Sequence, residues 1–380
     1  MILTVLCKVV DNFGDIGVAW RLCRKLKANP SNPDINLLVD NLDAFQKINH
    51  SVDSVKDIQL IENINVYNWN SSLCHDIFYE NDGEKLQLIL ELFQCGRPEW
   101  MEKILFEEKL QRTVHIIMID YLTAEKYAED FHCLQSLTRS SKVQKINFMP
   151  GFTNKTGGLI LDDFWNQYTK RDENGPVLFF TYDKNWKPVL NALNHYQSEK
   201  NKITTSDTVP SILKILAARG KGFDSVVKAC AETYSQNTDL LLIPLNFMDQ
   251  TQWDSMMKLC SVLFIRGEES LTRACLSGIP FVWHAYPQSD EYQLVKVNAL
   301  LERMHSFFAE TDYEIIKKVW VLFNTPDELI DENDMENAVY AFLKEQNNLE
   351  KGFQDFAANL RKNGDLADNL MTFINKNYII

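Results

Sequence analysis

Short runs rich in β-branched and apolar residues end in turn-forming residues and lead into segments with apolar side chains at helical spacing. This alternation, repeated through most of the chain, constrains the fold more than any other feature, because it marks α/β architecture with mainly parallel sheets. The first unit shows the pattern: residues 3–10 form a strand-like run, Asp11-Asn12-Phe13-Gly14-Asp15 makes a turn, and residues 18–26 carry a helical pattern. Further strands are expected at 35–39, 77–79 and 113–120, with helices at 84–93 and 98–110. A second series holds strands at 177–181, 240–244 and 262–265, with helices at 186–196 and 211–218. Between the two series the polar stretch 168–176, ending TKRDENGP, reads as a linker. Residues 352–377 read as an amphipathic helix that either finishes the second domain or returns to the first.

The 380 residues suit two domains, and 45% hydrophobic with 11% aromatic residues supplies two cores. Only 14 glycines are present, so low-complexity and collagen-like classes are excluded and glycine clusters are informative. Lys and Arg total 39 against 52 Asp and Glu, and a net charge of -13 disfavours nucleic-acid binding. The eight cysteines are scattered with no CxxC pair, which fits a reducing cytoplasm and gives no metal knuckle. The N-terminus lacks a basic segment ahead of its apolar run, and no apolar stretch approaches the length of a membrane span, so neither a signal peptide nor a membrane segment is expected.

Four loops could carry chemistry. Asp11 and Asp15 flank a glycine turn at the end of the first strand, where open α/β sheets place ligands. Taken alone, the pair reads equally as an Asx turn with a helix cap and as two working carboxylates. The spacing is not GxGxxG, so the dinucleotide fingerprint is absent. In Phe264-Ile265-Arg266-Gly267-Glu268-Glu269-Ser270-Leu271, a strand again opens a helix, whose amides with Arg266 and Ser270 suit a phosphate. Glu268 and Glu269 read either as first-turn residues favoured by the helix dipole, or as carboxylates for ribose hydroxyls or a cationic acceptor. In residues 280–288, His284 reads as a packed core histidine, while Tyr286 is the ligand candidate and Gln288 lies at the same edge. Phe247 and Trp253, after the strand ending at Pro244, could sandwich a flat base. The fourth loop, 151–158 (GFTNKTGG), reads as ligand-facing or as a simple turn, and it is not a Walker A sequence. No HExxH, GxSxG or Asp-x-Asp pattern occurs, so metal catalysis is not expected.

Taken together and in order, VVDNFGDIGVAWRL, IDYLTAE, GFTNKTGGLI, FIRGEESLTRA and PFVWHAYPQ resemble the bacterial protein-arginine rhamnosyltransferase family that modifies translation elongation factor P. The resemblance spans residues 9–288. It implies a GT-B glycosyltransferase, an α/β protein of two facing Rossmann-like domains with a nucleotide-sugar cleft between them. It also implies an inverting reaction, dTDP-β-L-rhamnose as donor, an arginine of elongation factor P as acceptor, no cofactor and no metal. The domains expected are 1–173, joined by about 352–380, on the acceptor side, and 174–351 on the donor side.

By the same resemblance Asp11 and Asp15 match the aspartates of the DNFGD motif, the second being the proposed general base. Phe13 and Gly14 between them join the donor-binding set. Arg266, Gly267, Glu268, Glu269 and Ser270 fall on an RGEDS motif that holds diphosphate and ribose and whose first glutamate is needed for activity. Tyr286 and Gln288 match its YPQ turn, Phe247 and Trp253 its thymine-packing aromatics, and Tyr182 a tyrosine of the same pocket. Two departures stand out: Glu269 replaces an aspartate, and residues 246–250 (NFMDQ) replace PFVPQ. A guanidinium has no free lone pair, so two carboxylates facing one arginine answer a chemical need: Asp11 to orient it and Asp15 to take a proton. Glu268 is left between fixing ribose and supporting the acceptor. Two rivals stay open on the residues alone: a non-catalytic nucleotide- or protein-binding module, and a glycosyltransferase with another donor or a small-molecule acceptor.

Overall fold

The computed structural model describes residues 1–10, 13–75, 86–107, 113–166, 171–203, 210–234, 239–288 and 290–378. It divides into two α/β units, Met1–Asp162 with Leu360–Ile380, and Asp163–Asn359.

In the first unit eight strands among the described residues form one sheet: β1 (Ile2–Cys7), β2 (Asp34–Val39), β3 (Ile58–Ile61), β4 (Ile64–Asn68), β5 (Gln87–Leu92), β6 (Val114–Ile119), β7 (Gln135–Ser136) and β8 (Val143–Phe148). Their order is β3-β4-β2-β1-β5-β6-β8-β7, parallel except at the two margins, where β3 pairs antiparallel with β4 and β7 with β8. Helices cover both faces of the central strands, so β1 and β5 bury nearly every side chain, as parallel strands do.

Helix Gly14–Ala28 packs on one face through Ile16, Ala19, Trp20, Leu22, Cys23 and Leu26. Helix Leu366–Tyr378 shares that core through Leu366, Ala367, Leu370, Met371 and Ile374. The C-terminal helix therefore belongs to the first unit. Each of those large apolar residues contributes about 1.5–3 kcal/mol when fully buried.

The second unit holds β9 (Val177–Phe180), β10 (Leu213–Ala218), β11 (Leu240–Leu245), β12 (Val262–Arg266) and β13 (Phe281–His284), all parallel in the order β11-β10-β9-β12-β13. Its core is rich in aromatics, with Phe179 against Trp186 at 4.7 Å between ring centroids and Phe264 against Phe323 at 5.4 Å.

Several sequence expectations need correction. The segment expected as a helix at 84–93 is strand β5 over Gln87–Leu92, and 211–218 is strand β10 over Leu213–Ala218. Both are leucine-rich and lie inside a parallel sheet, where burial on both faces erases the alternation that identifies a half-exposed strand. The unit boundary falls at Asp162/Asp163, not at 173/174. The end of the expected linker is anchored in the second unit: Arg171 is buried and donates to Ser261 O at 3.1 Å and Gln346 Oε1 at 2.9 Å. The return to the first unit begins at Leu360, because helix Glu332–Arg361 still buries Phe353 against Phe281 of the second unit. The strand expected at 77–79 lies outside the described residues.

Candidate active site

In an open α/β sheet, ligands bind beyond the carboxyl ends of neighbouring strands whose connections leave in opposite directions. The order β2-β1-β5 puts one such switch point at the ends of β1 and β5, and β10-β9-β12 puts the other at the ends of β9 and β12. The sequence motifs fall at both.

At the first, β1 runs into the DNFGD loop. Val9 N–H donates to Asp40 Oδ1 and Val10 N–H to Asp15 Oδ2, each at 2.8 Å. Asp15 is buried in the first turn of helix Gly14–Ala28, where the macrodipole favours a negative charge. It is not the helix N-cap: Phe13 occupies that position, and Lys47 Nζ lies 5.8 Å from the Phe13 ring centroid. Gly14 faces open space, with nothing within 4 Å of where a Cβ would sit. Asp11 lies outside the described residues.

The IDYLTAE motif forms the end of β6 and the loop after it, and meets the loop after β5. Asp120 accepts from Gln94 Nε2 and from Tyr121 N–H, each at 2.8 Å, and the Tyr121 ring stacks on Phe93 at 4.7 Å. Phe93 and Gln94 both have positive φ, 55° and 53°, a left-handed backbone that non-glycine residues adopt uncommonly. The GFTNKTGG loop, by contrast, is packed. Gly157 O accepts from Asn369 Nδ2 and Phe152 O from Asn363 Nδ2, each at 3.0 Å, tying the loop to the start of the C-terminal helix.

At the second switch point Arg266 ends β12 and is 5% exposed. Its guanidinium carbon lies 4.6 Å from the Phe180 ring centroid and 4.8 Å from that of Tyr182. Phe180 in turn meets Trp253 edge-on at 5.1 Å. Tyr182 meets Tyr286 at 5.4 Å with the rings perpendicular, and Lys221 Nζ lies over both, 5.7 and 5.2 Å away.

Gly267 then adopts φ 73° before helix Glu268–Ser277, a left-handed backbone that a side chain would strain. With Gly267 in this conformation the amides of the first helical turn, from Glu268 through Ser270, make the half-positive end of the helix. Glu269 lies 3.7 Å from Arg273, while Thr272 Oγ1 donates to Glu268 O at 2.9 Å. The structure thus gathers Tyr182, Trp253, Arg266, Gly267, Glu268, Glu269, Ser270 and Tyr286 at neighbouring strand ends. Gln288 continues the Tyr286 turn, its N–H donating to Gln293 Oε1 at 3.1 Å. Phe247 lies past the end of the edge strand β11 and is 47% exposed.

Three members of the site were missed in the sequence. Phe180 stacks under Arg266. Lys221 caps the two tyrosines. At Gly222 a Cβ would come within 2.5 Å of Tyr182 O, so the loop after β10 approaches the site as closely as backbone allows. His284 is packed in the core, as its sequence context predicts, and its Nδ1 accepts the Tyr182 N–H at 3.3 Å, so the ring proton sits on Nε2. Burial, with the Lys184 and Arg266 charges nearby, pushes its pKa down to about 3 and keeps it neutral. The signal for Lys221 and Gly222 was the Arg219-Gly220-Lys221-Gly222 turn, hidden by reading β10 as a helix.

The family described as Elongation-Factor P (EF-P) rhamnosyltransferase EarP matches residues 3–375. The chain belongs to the EarP family. It is 28% identical over 339 residues to a protein-arginine rhamnosyltransferase of Shewanella oneidensis, covering 78% of this chain and 79% of that one. It is 25% identical over 386 residues to a protein-arginine rhamnosyltransferase of Neisseria meningitidis serogroup B, covering 98% and 96%. A solved structure described as the structural basis for EarP-mediated arginine glycosylation of translation elongation factor EF-P superposes with a TM-score of 0.60 at 17% identity, covering 99% of both chains. This EarP-family chain accordingly has the GT-B glycosyltransferase fold and is an enzyme of the rhamnosyltransferase class. Among the described residues no helix is long and apolar enough to cross a membrane, and no three or more His, Cys, Asp or Glu gather to hold a metal ion.

Proposed function

We propose that this enzyme transfers L-rhamnose from dTDP-β-L-rhamnose to an arginine side chain of elongation factor P, in the cytoplasm, with inversion at the anomeric carbon. One observation carries the donor half: Arg266, held between Phe180 and Tyr182, stands beside the glycine-opened start of helix Glu268–Ser277 at a strand switch point. A guanidinium and a helix N-terminus together match a diphosphate leaving group. They stabilise the negative charge that grows on it as the glycosidic bond breaks. Trp253 and Tyr182, linked through Phe180 and Arg266, supply aromatic faces for a thymine ring, and Glu268 accepts from ribose hydroxyls.

The acceptor half rests on Asp11 and Asp15. A guanidinium nitrogen becomes nucleophilic only when its charge is localised or a proton is withdrawn, and Asp15, fixed by the Val10 N–H, is positioned to accept that proton. Asp11 orients the guanidinium. Attack from the face opposite the diphosphate then inverts the sugar carbon.

The test is mass spectrometry of elongation factor P incubated with the purified enzyme and dTDP-rhamnose. One deoxyhexose on a single arginine is expected, with NMR of the linkage showing the inverted anomer. An unmodified acceptor in the presence of active donor overturns the acceptor assignment, and transfer from a different sugar nucleotide in preference to dTDP-rhamnose overturns the donor.

A further inference from the structure

Both loops that frame the proposed donor pocket are tied to one corner of the second unit. The loop after β9 carries Tyr182. There Lys184 Nζ donates to Asp327 Oδ1 at 2.7 Å and to Thr325 O at 3.3 Å, and Asn185 N–H donates to Asp327 Oδ2 at 2.6 Å.

The loop after β13 carries Tyr286 and Gln288. Here Ala285 N–H donates to Asn324 Oδ1 at 2.8 Å, and Asn324 Nδ2 donates to Trp283 O at 2.7 Å and Trp320 O at 2.8 Å. Gln293 completes it: its Oε1 accepts the Gln288 N–H at 3.1 Å and its Nε2 donates to Asn324 O at 3.2 Å. Asn324 and Gln293 are 4% and 3% exposed. Thus the end of helix Glu310–Asn324 and the turn at Asp327–Leu329 grip both walls.

We infer that Asn324, Asp327 and Gln293 form a brace that positions the donor pocket, with Gln293 and Asn324 as positioning residues for the Tyr286–Gln288 turn; this rests on the reading that the pocket holds dTDP. A buried core needs no amide side chains at these places, since apolar residues fill space without polar atoms to satisfy. What a fully bonded buried network adds is a single geometry. Here that geometry sets Tyr286 perpendicular to Tyr182 and keeps Gln288 at the pocket edge. Loosening the brace leaves the reacting groups intact but makes donor binding order a turn that is otherwise ordered in advance. Ordering a few side chains on binding corresponds to a loss of about tenfold in affinity.

The experiment compares wild type, Gln293→Leu, Gln293→Glu and Asp327→Asn by calorimetry with dTDP, by donor KM and kcat, and by thermal unfolding. Gln293→Leu is expected to raise donor KM about tenfold with kcat at saturating donor within about twofold. Gln293→Glu, which keeps an oxygen for the Gln288 N–H, should recover part of the loss. Asp327→Asn gives a second test at the other wall, should Gln293→Leu fail to fold. A folded Gln293→Leu or Asp327→Asn with wild-type KM and dTDP affinity refutes the brace, as does a fall in kcat at unchanged KM. If wild type itself takes up no dTDP, the donor reading has failed; if wild type binds and the variants bind equally, the brace alone has failed.

Discussion

Arg266→Met separates what the residue does for binding from what it does for the fold. Arg266 is 5% exposed and its guanidinium lies against the Phe180 and Tyr182 rings. Methionine keeps an unbranched stem in that slot and surrenders two ring contacts worth about 0.5–2 kcal/mol each. It also removes a desolvated charge whose burial costs several kcal/mol, so the two changes offset and folding stability should stay within about 1 kcal/mol of wild type. Binding has no such offset. Hydrogen bonds to a charged group are worth about 1.5–3 kcal/mol, which at about 1.4 kcal/mol per decade is a loss of roughly 10- to 100-fold in dTDP affinity. Isothermal calorimetry at fixed ionic strength reads the affinity, and urea unfolding reads the stability. A folded Arg266→Met protein that binds dTDP within about twofold of wild type would show that Arg266 does not face the leaving nucleotide, and the donor site would have to be sought elsewhere.

Three further outcomes follow from the same geometry. Asp15→Asn keeps an acceptor for the Val10 N–H but cannot take a proton, so transfer should fall by about 10²- to 10⁴-fold with dTDP affinity unchanged; near-normal turnover removes Asp15 from the base role. His284 has a folded pKa of about 3 against about 6.5 unfolded, so between those values the unfolded chain binds the extra proton and stability falls as pH falls. Above about pH 6.5 the effect vanishes, and below it His284 should contribute a slope of about 1.4 kcal/mol per pH unit. The variant His284→Gln, which retains an acceptor for the Tyr182 N–H, should flatten urea midpoints between pH 4.5 and 6.5 by that amount relative to wild type; parallel curves would contradict it. Finally, Leu370→Ala, at a fully buried position of the C-terminal helix, should cost about 2–5 kcal/mol in chemical denaturation, and a loss below about 0.5 kcal/mol would contradict its place in the first core.

The loops were more legible in the sequence than the strands behind them. Turn chemistry is local: Asp15 after a glycine and Gly267 before a helix announce themselves without knowledge of the sheet. Strands β5 and β10 did not, because QLILEL and LKILAA combine good helix formers with burial on both faces, and only their neighbours in the sheet make them extended. That misreading also hid Lys221, whose turn has meaning only at the end of a strand. Residues such as Phe180, Asn324 and Gln293 carry no local signal, since the contacts Gln293–Asn324, Asn324–Ala285 and Phe180–Arg266 span 31, 39 and 86 positions in sequence and exist only once the fold is made.

The two switch points share a topology but carry opposite chemistry, and the overall charge of the chain predicts neither. A protein of net charge -13 should repel a nucleoside diphosphate if bulk electrostatics governed binding. At physiological salt, however, the screening length is about 8 Å, so exposed charges farther away count for little, whereas buried or contacting groups are screened far less. Arg266 is buried against Phe180 and Tyr182, Lys221 lies over Tyr182 and Tyr286, and the helix beginning at Glu268 presents its positive end beside them. In the first unit the buried Asp15 carboxylate occupies the corresponding strand end. Each site thus sets its own sign over a few ångströms, a cationic corner for the leaving diphosphate and an acidic one for a guanidinium. Donor binding on this account depends only weakly on ionic strength, because the charges responsible for it lie inside the screening length.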